Sequence, residues 1–141
     1  MKKIITALFA ATFVLPAVAE EKGFTSLFDG KTLKGWDGKK EFWSVQDGAI
    51  QGKTTKETPT KGNTFIIWKG GTVADFELKF EYRFLTKSGN SGCQYRSEDM
   101  GNNVVKGYQG DFEAGTRYSG INYGEKTGRG ILADRGTKTT L

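Results

Sequence analysis

The side chains best suited to chemistry lie in two short alternating stretches in the middle of the chain. In the first stretch, a turn-forming Gly-Asn-Ser-Gly sequence leads into Gln94 and Arg96. In the second stretch, Gln109 and Asp111 stand on either side of Gly110. An amide can orient a polar ligand, a carboxylate can accept a proton, and a guanidinium can stabilise a developing anion. If the two stretches are neighbours, they predict an acid/base site.

Both stretches have the two-residue period of β-strands, and this period predicts which side chains share a face. Cys93, Tyr95, Tyr108 and Phe112 are expected to face the core, with the polar side chains between them on the outward face of a curved sheet. Gly110 weakens a strand and therefore predicts a bulge or close packing beneath the polar groups. The alternative is that these polar groups only cover the solvent-facing side of an antiparallel sheet.

The rest of the sequence predicts an all-β antiparallel β-sandwich, with a closed barrel as the alternative. Residues 75–84 alternate apolar, mainly aromatic, and charged side chains, which predicts a long, half-buried strand. Asp47 and Gly48 predict the two-residue turn of a hairpin over residues 42–51. Shorter strands are predicted at residues 64–69, 91–97, 107–113, 118–123 and 129–133.

The first nineteen residues have the pattern of a signal peptide. Lys2 and Lys3 precede an apolar run over residues 4–15, and a small-x-small sequence ends at Ala19. A helix of this apolar run would reach about 18 Å, which is short of the roughly 30 Å hydrocarbon core. We therefore expect cleavage after Ala19, a mature domain at residues 20–141 and export to the periplasm or the extracellular space.

The charge of the chain predicts no nucleic-acid partner. The net charge of +5 falls to +3 when Lys2 and Lys3 leave with the signal peptide, and no run of five like charges occurs. No membrane association is expected after cleavage. The only cysteine, Cys93, is expected to be buried because it has no partner for an internal disulfide.

The absence of histidine narrows the chemistry further. It excludes Ser-His-Asp and Cys-His catalysis and most zinc sites within this sequence. Acid/base steps then fall to Asp, Glu, Tyr, Lys or water. No cofactor is predicted, and a divalent metal is left open.

Several motifs, in order along the chain, resemble the 3-keto-disaccharide hydrolase domain family. The resemblance covers residues 23–141. The motifs are Gly23-Phe24 through Leu33 with Gly35-Trp36, Phe42-Trp43, Asp47-Gly48-Ala49-Ile50, Asp75-Phe76-Glu77-Leu78, Asn90-Ser91-Gly92 with Tyr95-Arg96, and Gly107-Tyr108-Gln109 with Asp111.

The resemblance implies a concanavalin A-like jelly roll in an exported bacterial protein that cleaves glycosides already oxidised at sugar carbon 3. Such a reaction removes the proton on C2, eliminates the group on C1 and adds water across the double bond. By this resemblance, Asp111 is the carboxylate and Arg96 the cation near the enolate or a sugar hydroxyl. The substrate contacts it implies are Gln109, Gln94, Asn90, Ser91, Tyr118, Tyr123 and Arg129.

The family resemblance also implies further strands, so the domain is expected to be truncated at its C-terminus, within a strand over residues 137–141. The leading partner is an oligosaccharide or glycoside, and the oligomeric state is left open. Two other functions are kept as alternatives: a non-catalytic, lectin-like carbohydrate-binding module and a cell-surface protein without a small ligand.

Overall fold

A computed structural model describes residues 22–138 as an all-β structure with eight strands, which confirms the predicted fold class. No helix in this range is long and apolar enough to span a membrane. The predicted signal peptide and most of the strand predicted at residues 137–141 lie outside the described residues. The strands are β1 (Trp36–Asp37), β2 (Trp43–Gln46), β3 (Ala49–Gly52), β4 (Ile67–Trp68), β5 (Asn90–Asp99), β6 (Val105–Glu113), β7 (Asn122–Glu125) and β8 (Gly130–Ala133).

The hairpin predicted near the N-terminus is confirmed. β2 and β3 are antiparallel, with Val45 opposite Ile50. Asp47 and Gly48 both have positive φ, 50° and 73°, as a two-residue turn of matching twist requires. The short pair β1–β4 sets Trp36 opposite Trp68.

The four remaining strands form one antiparallel sheet in the order β5-β6-β7-β8. The register places Gln94 opposite Gln109, and Gln109 opposite Tyr123 on the other side. The two polar stretches are therefore neighbours, which meets the condition that the sequence analysis set for a shared site. Antiparallel pairing in every sheet is consistent with the predicted β-sandwich, whereas the jelly-roll topology stays a prediction.

A β-bulge interrupts the alternation of β5. The register shifts between Tyr95 and Glu98, so that Arg96 and Ser97 both stand opposite Gly107. Arg96 has a φ of 46°, which turns the strand at this point. A Cβ on Gly107 would lie 2.2 Å from the Ser97 hydroxyl oxygen, so the bulge needs glycine opposite it. Beyond Tyr95, the face of each side chain no longer follows the simple two-residue rule.

The strand predicted over residues 75–84 is wrong for this structure. The segment belongs to none of the eight strands, and within the described residues no strand pairs with it. Its aromatic rings pack on Phe112 instead: Tyr82 stacks at 4.3 Å between ring centroids, and Phe80 and Phe84 lie at 5.9 and 6.3 Å. Alternation specifies a two-faced extended segment, but a strand also needs a hydrogen-bonding neighbour.

The most buried face of the sheet is the opposite of the predicted one. Val105, Gln109, Ile121 and Glu125 are 3–6% exposed, whereas the predicted core residues Tyr108 and Phe112 are half-buried. Residues 63–65 account for part of this burial, because the Asn63 side-chain amide donates to the Glu125 carboxylate at 2.8 Å. The backbone N–H of Phe65 donates to the Asn103 carbonyl at 3.0 Å. The N-terminal half of the chain thus contacts the face of the sheet that was expected to face solvent.

Candidate active site

One polar cluster forms where β5 and β6 run side by side. Asn90, Gly92 and Gln94 on β5 stand opposite Glu113, Asp111 and Gln109 on β6. Residues directly opposite each other in an antiparallel pair share a face, so the amides and carboxylates of this set lie on one side of the sheet. The sequence prediction that Gln94, Gln109 and Asp111 share a face is confirmed.

A continuous series of side-chain hydrogen bonds connects the polar residues of this cluster. The Gln94 amide N–H donates to Gln109 Oε1 at 2.8 Å, and the Gln109 amide N–H donates to Asp111 Oδ1 at 2.7 Å. At the far end, the Ser97 hydroxyl donates to Gln94 Oε1 at 2.8 Å. The Asn90 amide approaches the second Asp111 oxygen, Oδ2, at 3.5 Å. We call Ser97, Gln94, Gln109, Asp111 and Asn90 the Asp111 cluster.

Gly92 makes room for this cluster. A Cβ at Gly92 would lie 2.4 Å from Gln109 Cγ and 2.6 Å from Gln109 Cδ, closer than carbon atoms approach one another. The Gln109 side chain therefore lies across the backbone of Gly92. Gly110, which predicted a bulge or close packing, has nothing within 4 Å of its Cβ position and pairs regularly with Cys93. That prediction is wrong, and the close approach belongs to the glycine on the neighbouring strand.

Exposure along the Asp111 cluster is lowest at Gln109 in the middle and rises toward both ends, with Gln94 half-buried and Ser97 exposed on one side. Gln109 is 5% exposed, Asp111 is half-buried and Asn90 is exposed. Both the amide oxygen and the amide nitrogen of Gln109 already have partners within the protein. Of the two exposed ends, the one with Asp111 and Asn90 is the end at which a carboxylate can meet a dissolved ligand.

Arg96 forms its ion pair outside the Asp111 cluster. Its guanidinium donates to Asp75 Oδ1 at 2.9 Å, and the two side chains are 60% and 95% exposed. The bulge explains this separation, because it places Ser97 rather than Arg96 beside Gln94. Such an exposed ion pair contributes only about 0–1 kcal/mol, so it holds the guanidinium weakly.

The other predicted substrate contacts divide between the two faces. Tyr123 stands opposite Gln109 and shares the face of the Asp111 cluster. Ser91 stands opposite Phe112 and so lies on the other face. The Arg129 guanidinium donates to the Tyr108 hydroxyl at 3.3 Å, and the Tyr118 backbone N–H donates to the Glu113 carboxylate at 2.7 Å. Only Tyr123 among these is brought beside Gln109 by the register.

Asp29 lies in the most N-terminal of the family-like motifs, and its side chain has a structural role. Its carboxylate accepts the backbone N–H groups of Lys31 and Thr32 and the Thr32 hydroxyl, at 2.6–2.8 Å. The Thr32 hydroxyl and these N–H groups lower the pKa of Asp29 to about 2. A carboxylate held in this way closes a turn and is a poor general base.

Two depressions in the described part of the chain lie away from the Asp111 cluster. One of about 250 Å³ is lined by the hairpin, including Trp43 and Gln51, and one of about 320 Å³ lies beside Phe28 and Asp29. We select the Asp111 cluster as the candidate site because it holds a hydrogen-bonded carboxylate, and not because of any cavity volume. Among residues 22–138, no three His, Cys, Asp or Glu side chains come together as a metal site.

The comparisons with known proteins agree with the sequence motifs. Residues 23–139 match the 3-keto-alpha-glucoside-1,2-lyase-like domain. The chain belongs to this family. A relative from Bacteroides thetaiotaomicron, described as a 3-keto-disaccharide hydrolase, is 30% identical over 107 residues. The alignment covers 65% of the present chain and 35% of the relative, so the chain spans about a third of that protein. No solved structure matches.

Proposed function

We propose that this lyase-like domain cleaves 3-keto-glycosides, with Asp111 as the base that removes the proton on sugar carbon 2. Three things support the proposal: the family membership, the description of the relative, and a half-buried carboxylate in the Asp111 cluster. The carboxylate carries most weight, because Asp111 Oδ1 is fixed by Gln109 while Oδ2 has, among residues 22–138, only a long contact to the exposed Asn90.

In the proposed reaction, Asp111 takes the C2 proton and the electrons of that C–H bond form the enolate of the C3 ketone. The enolate re-forms the C3 carbonyl as a C1–C2 double bond appears and the C1–O bond breaks. The leaving oxygen takes a proton from Asp111 or water. Water then adds a hydroxyl to C1 and a proton to C2, which gives the free 3-keto sugar. A neighbouring carbonyl makes the C2 proton acidic enough for a carboxylate to remove.

The other side chains have supporting roles in this proposal. Asn90, at the exposed end, is a donor for the ketone or a hydroxyl, and Tyr123 provides an aromatic and hydroxyl contact on the same face. Arg96 is a cation at the rim that must leave Asp75 to reach a bound sugar. We also propose export of the chain, which N-terminal sequencing of the protein recovered outside the cytoplasm would test.

The proposal is tested with a panel of 3-keto-glucosides and their unoxidised parents. We expect turnover of the keto compounds alone, and Asp111→Asn should lower kcat by about 10²–10⁴-fold, the usual contribution of a positioned base. Asp99→Asn is the matched control, because Asp99 is an exposed carboxylate that pairs with Lys69 outside the Asp111 cluster. This control should keep full activity.

Two outcomes would contradict the proposal. Unchanged turnover in Asp111→Asn would remove Asp111 as the base. Saturable binding of unoxidised sugars with no turnover of any keto compound would instead favour the lectin-like alternative.

A further inference from the structure

We infer that Gln94 and Gln109 form a positioning relay that fixes the Asp111 carboxylate, and that neither glutamine contacts the saccharide. The inference rests on the proposed role of Asp111 as the base. It differs from the sequence prediction, in which both glutamines bind substrate.

The direction of the hydrogen bonds follows from their chemistry. An ionised carboxylate can only accept hydrogen bonds, so Gln109 must turn its NH₂ group toward Asp111 and its carbonyl toward Gln94. Gln94 must then offer its own NH₂ group to Gln109, which leaves its carbonyl to accept the Ser97 hydroxyl. Each donor points toward Asp111, and reversal of one amide would set two acceptors against each other.

Burial separates Gln109 from the ligand, and the half-buried Gln94 has both ends of its amide occupied within the protein. Gln109 is 5% exposed, and both ends of its amide are occupied at 2.7 and 2.8 Å. A sugar hydroxyl could bind Gln109 only after breaking one of these bonds inside the protein, which would leave a buried polar group unpaired. The close fit against Gly92 also leaves the Gln109 side chain little room to move.

The relay has a specific consequence for the base. It holds Asp111 Oδ1 and so directs Oδ2 toward the exposed Asn90 end of the Asp111 cluster, where a C2–H can approach. Fixing the orientation of a base lowers the barrier because the reactive geometry is already formed before the substrate binds. Gln94 therefore affects the reaction indirectly, because it orients Gln109 and Gln109 orients Asp111.

Two substitutions at Gln94 distinguish a relay from simple packing. In Gln94→Glu, the new carboxylate cannot donate to Gln109 Oε1 and competes with Asp111 for the Gln109 NH₂ group, so the bond that holds Asp111 is weakened. In Gln94→Leu, one donor is lost, but Asp111 still dictates the Gln109 orientation. The near-isosteric Gln94→Glu should therefore be the more damaging change, whereas packing alone predicts the opposite order.

The experiment measures kcat and KM on a 3-keto-glucoside for both variants and for Gln109→Leu, with circular dichroism to verify folding. We expect Gln94→Glu to lower kcat by about 10–100-fold, as for loss of a hydrogen bond to a charged group. KM should change less than about twofold, because the relay touches no substrate. Gln94→Leu should lose clearly less kcat.

A double variant separates the relay from direct charge repulsion. In a Gln109→Leu background the amide that transmits the effect is gone, so adding Gln94→Glu should cause little further loss. A full additional loss would show that the new carboxylate acts directly on Asp111 and would overturn the relay. A large rise in KM, or equal losses in the two Gln94 variants, would also overturn it. Unchanged turnover in Asp111→Asn would instead defeat the proposed function itself.

Discussion

At the scale of single residues, two glycines of neighbouring strands have opposite surroundings. Gly92 lies directly beneath the Gln109 side chain, whereas Gly110 faces open space. Neither has the positive φ that would by itself require glycine. The two positions therefore differ in the room available for a Cβ atom, and substituting each glycine by alanine tests the effect of that difference.

We predict that Gly92→Ala impairs turnover and that Gly110→Ala does not. The new methyl group in Gly92→Ala would collide with Gln109 Cγ at 2.4 Å and displace the side chain that holds Asp111. Replacing glycine by alanine in a strand otherwise stabilises it by about 0.5–1 kcal/mol, which is the result expected for Gly110→Ala. Activity and the urea midpoint of both variants are the measurements. Equal activity in the two would mean that Gln109 adjusts without cost.

At the scale of elements, the sequence predicted those features that depend on local chemistry. The β2–β3 hairpin follows from Asp47-Gly48, and the neighbouring β5 and β6 follow from two alternating stretches joined by a short loop. The bulge at Arg96 was not predicted, because no Gly or Pro marks it within β5. Its only sequence signal is Gly107 on the neighbouring strand, which is visible only once the register is known.

The failure at residues 75–84 has a different cause. Alternation identified side chains that group together, and three of these rings, Phe80, Tyr82 and Phe84, gather around Phe112 and one another. Backbone pairing depends on which other segment lies alongside, and no local pattern contains that information. The predicted exposure of Gln109 failed for a related reason, because its side chain lies across Gly92 of the neighbouring strand, and that pairing is not visible in the local pattern.

For this element we predict that Phe112→Ala destabilises the fold more than Phe76→Ala. The Phe112 ring contacts three aromatic rings of residues 75–84, whereas Phe76 is 47% exposed. A half-buried phenylalanine should lose about 2 kcal/mol on truncation, below the 3–5 kcal/mol of a fully buried one. Phe76→Ala should cost less than about 1 kcal/mol. Urea unfolding followed by tryptophan fluorescence measures both, and equal losses would contradict the packing described here.

At the scale of the whole molecule, a part-buried polar contact joins the N-terminal half to the main sheet. The Glu125 carboxylate is 6% exposed and accepts from the Asn63 amide at 2.8 Å. Val105 and Ile121 are the only hydrophobic side chains among the described residues that are equally buried. With so small a buried apolar core, a polar contact across the two halves should weigh heavily in stability.

We predict that Asn63→Leu destabilises the protein by about 1–3 kcal/mol, because it leaves a buried carboxylate without its donor. Lys61→Leu, an exposed change of similar size in the same loop, should stay within about 0.5 kcal/mol of the parent. Thermal unfolding of both variants makes the comparison. A Lys61→Leu loss as large as that of Asn63→Leu would show that the loop, and not this contact, determines stability.

Cys93 offers a practical consequence of the strand register. It is the sole cysteine, it adjoins Gln94 in sequence but lies on the reverse face from Asp111, and burial raises the pKa of its thiol. Because maleimides react with the thiolate and this half-buried thiol has a raised pKa, coupling a dye there needs a mildly alkaline buffer, and the dye would then lie on the face opposite Asp111. A change in the fluorescence of this dye could then report saccharide binding on the opposite face of the same sheet.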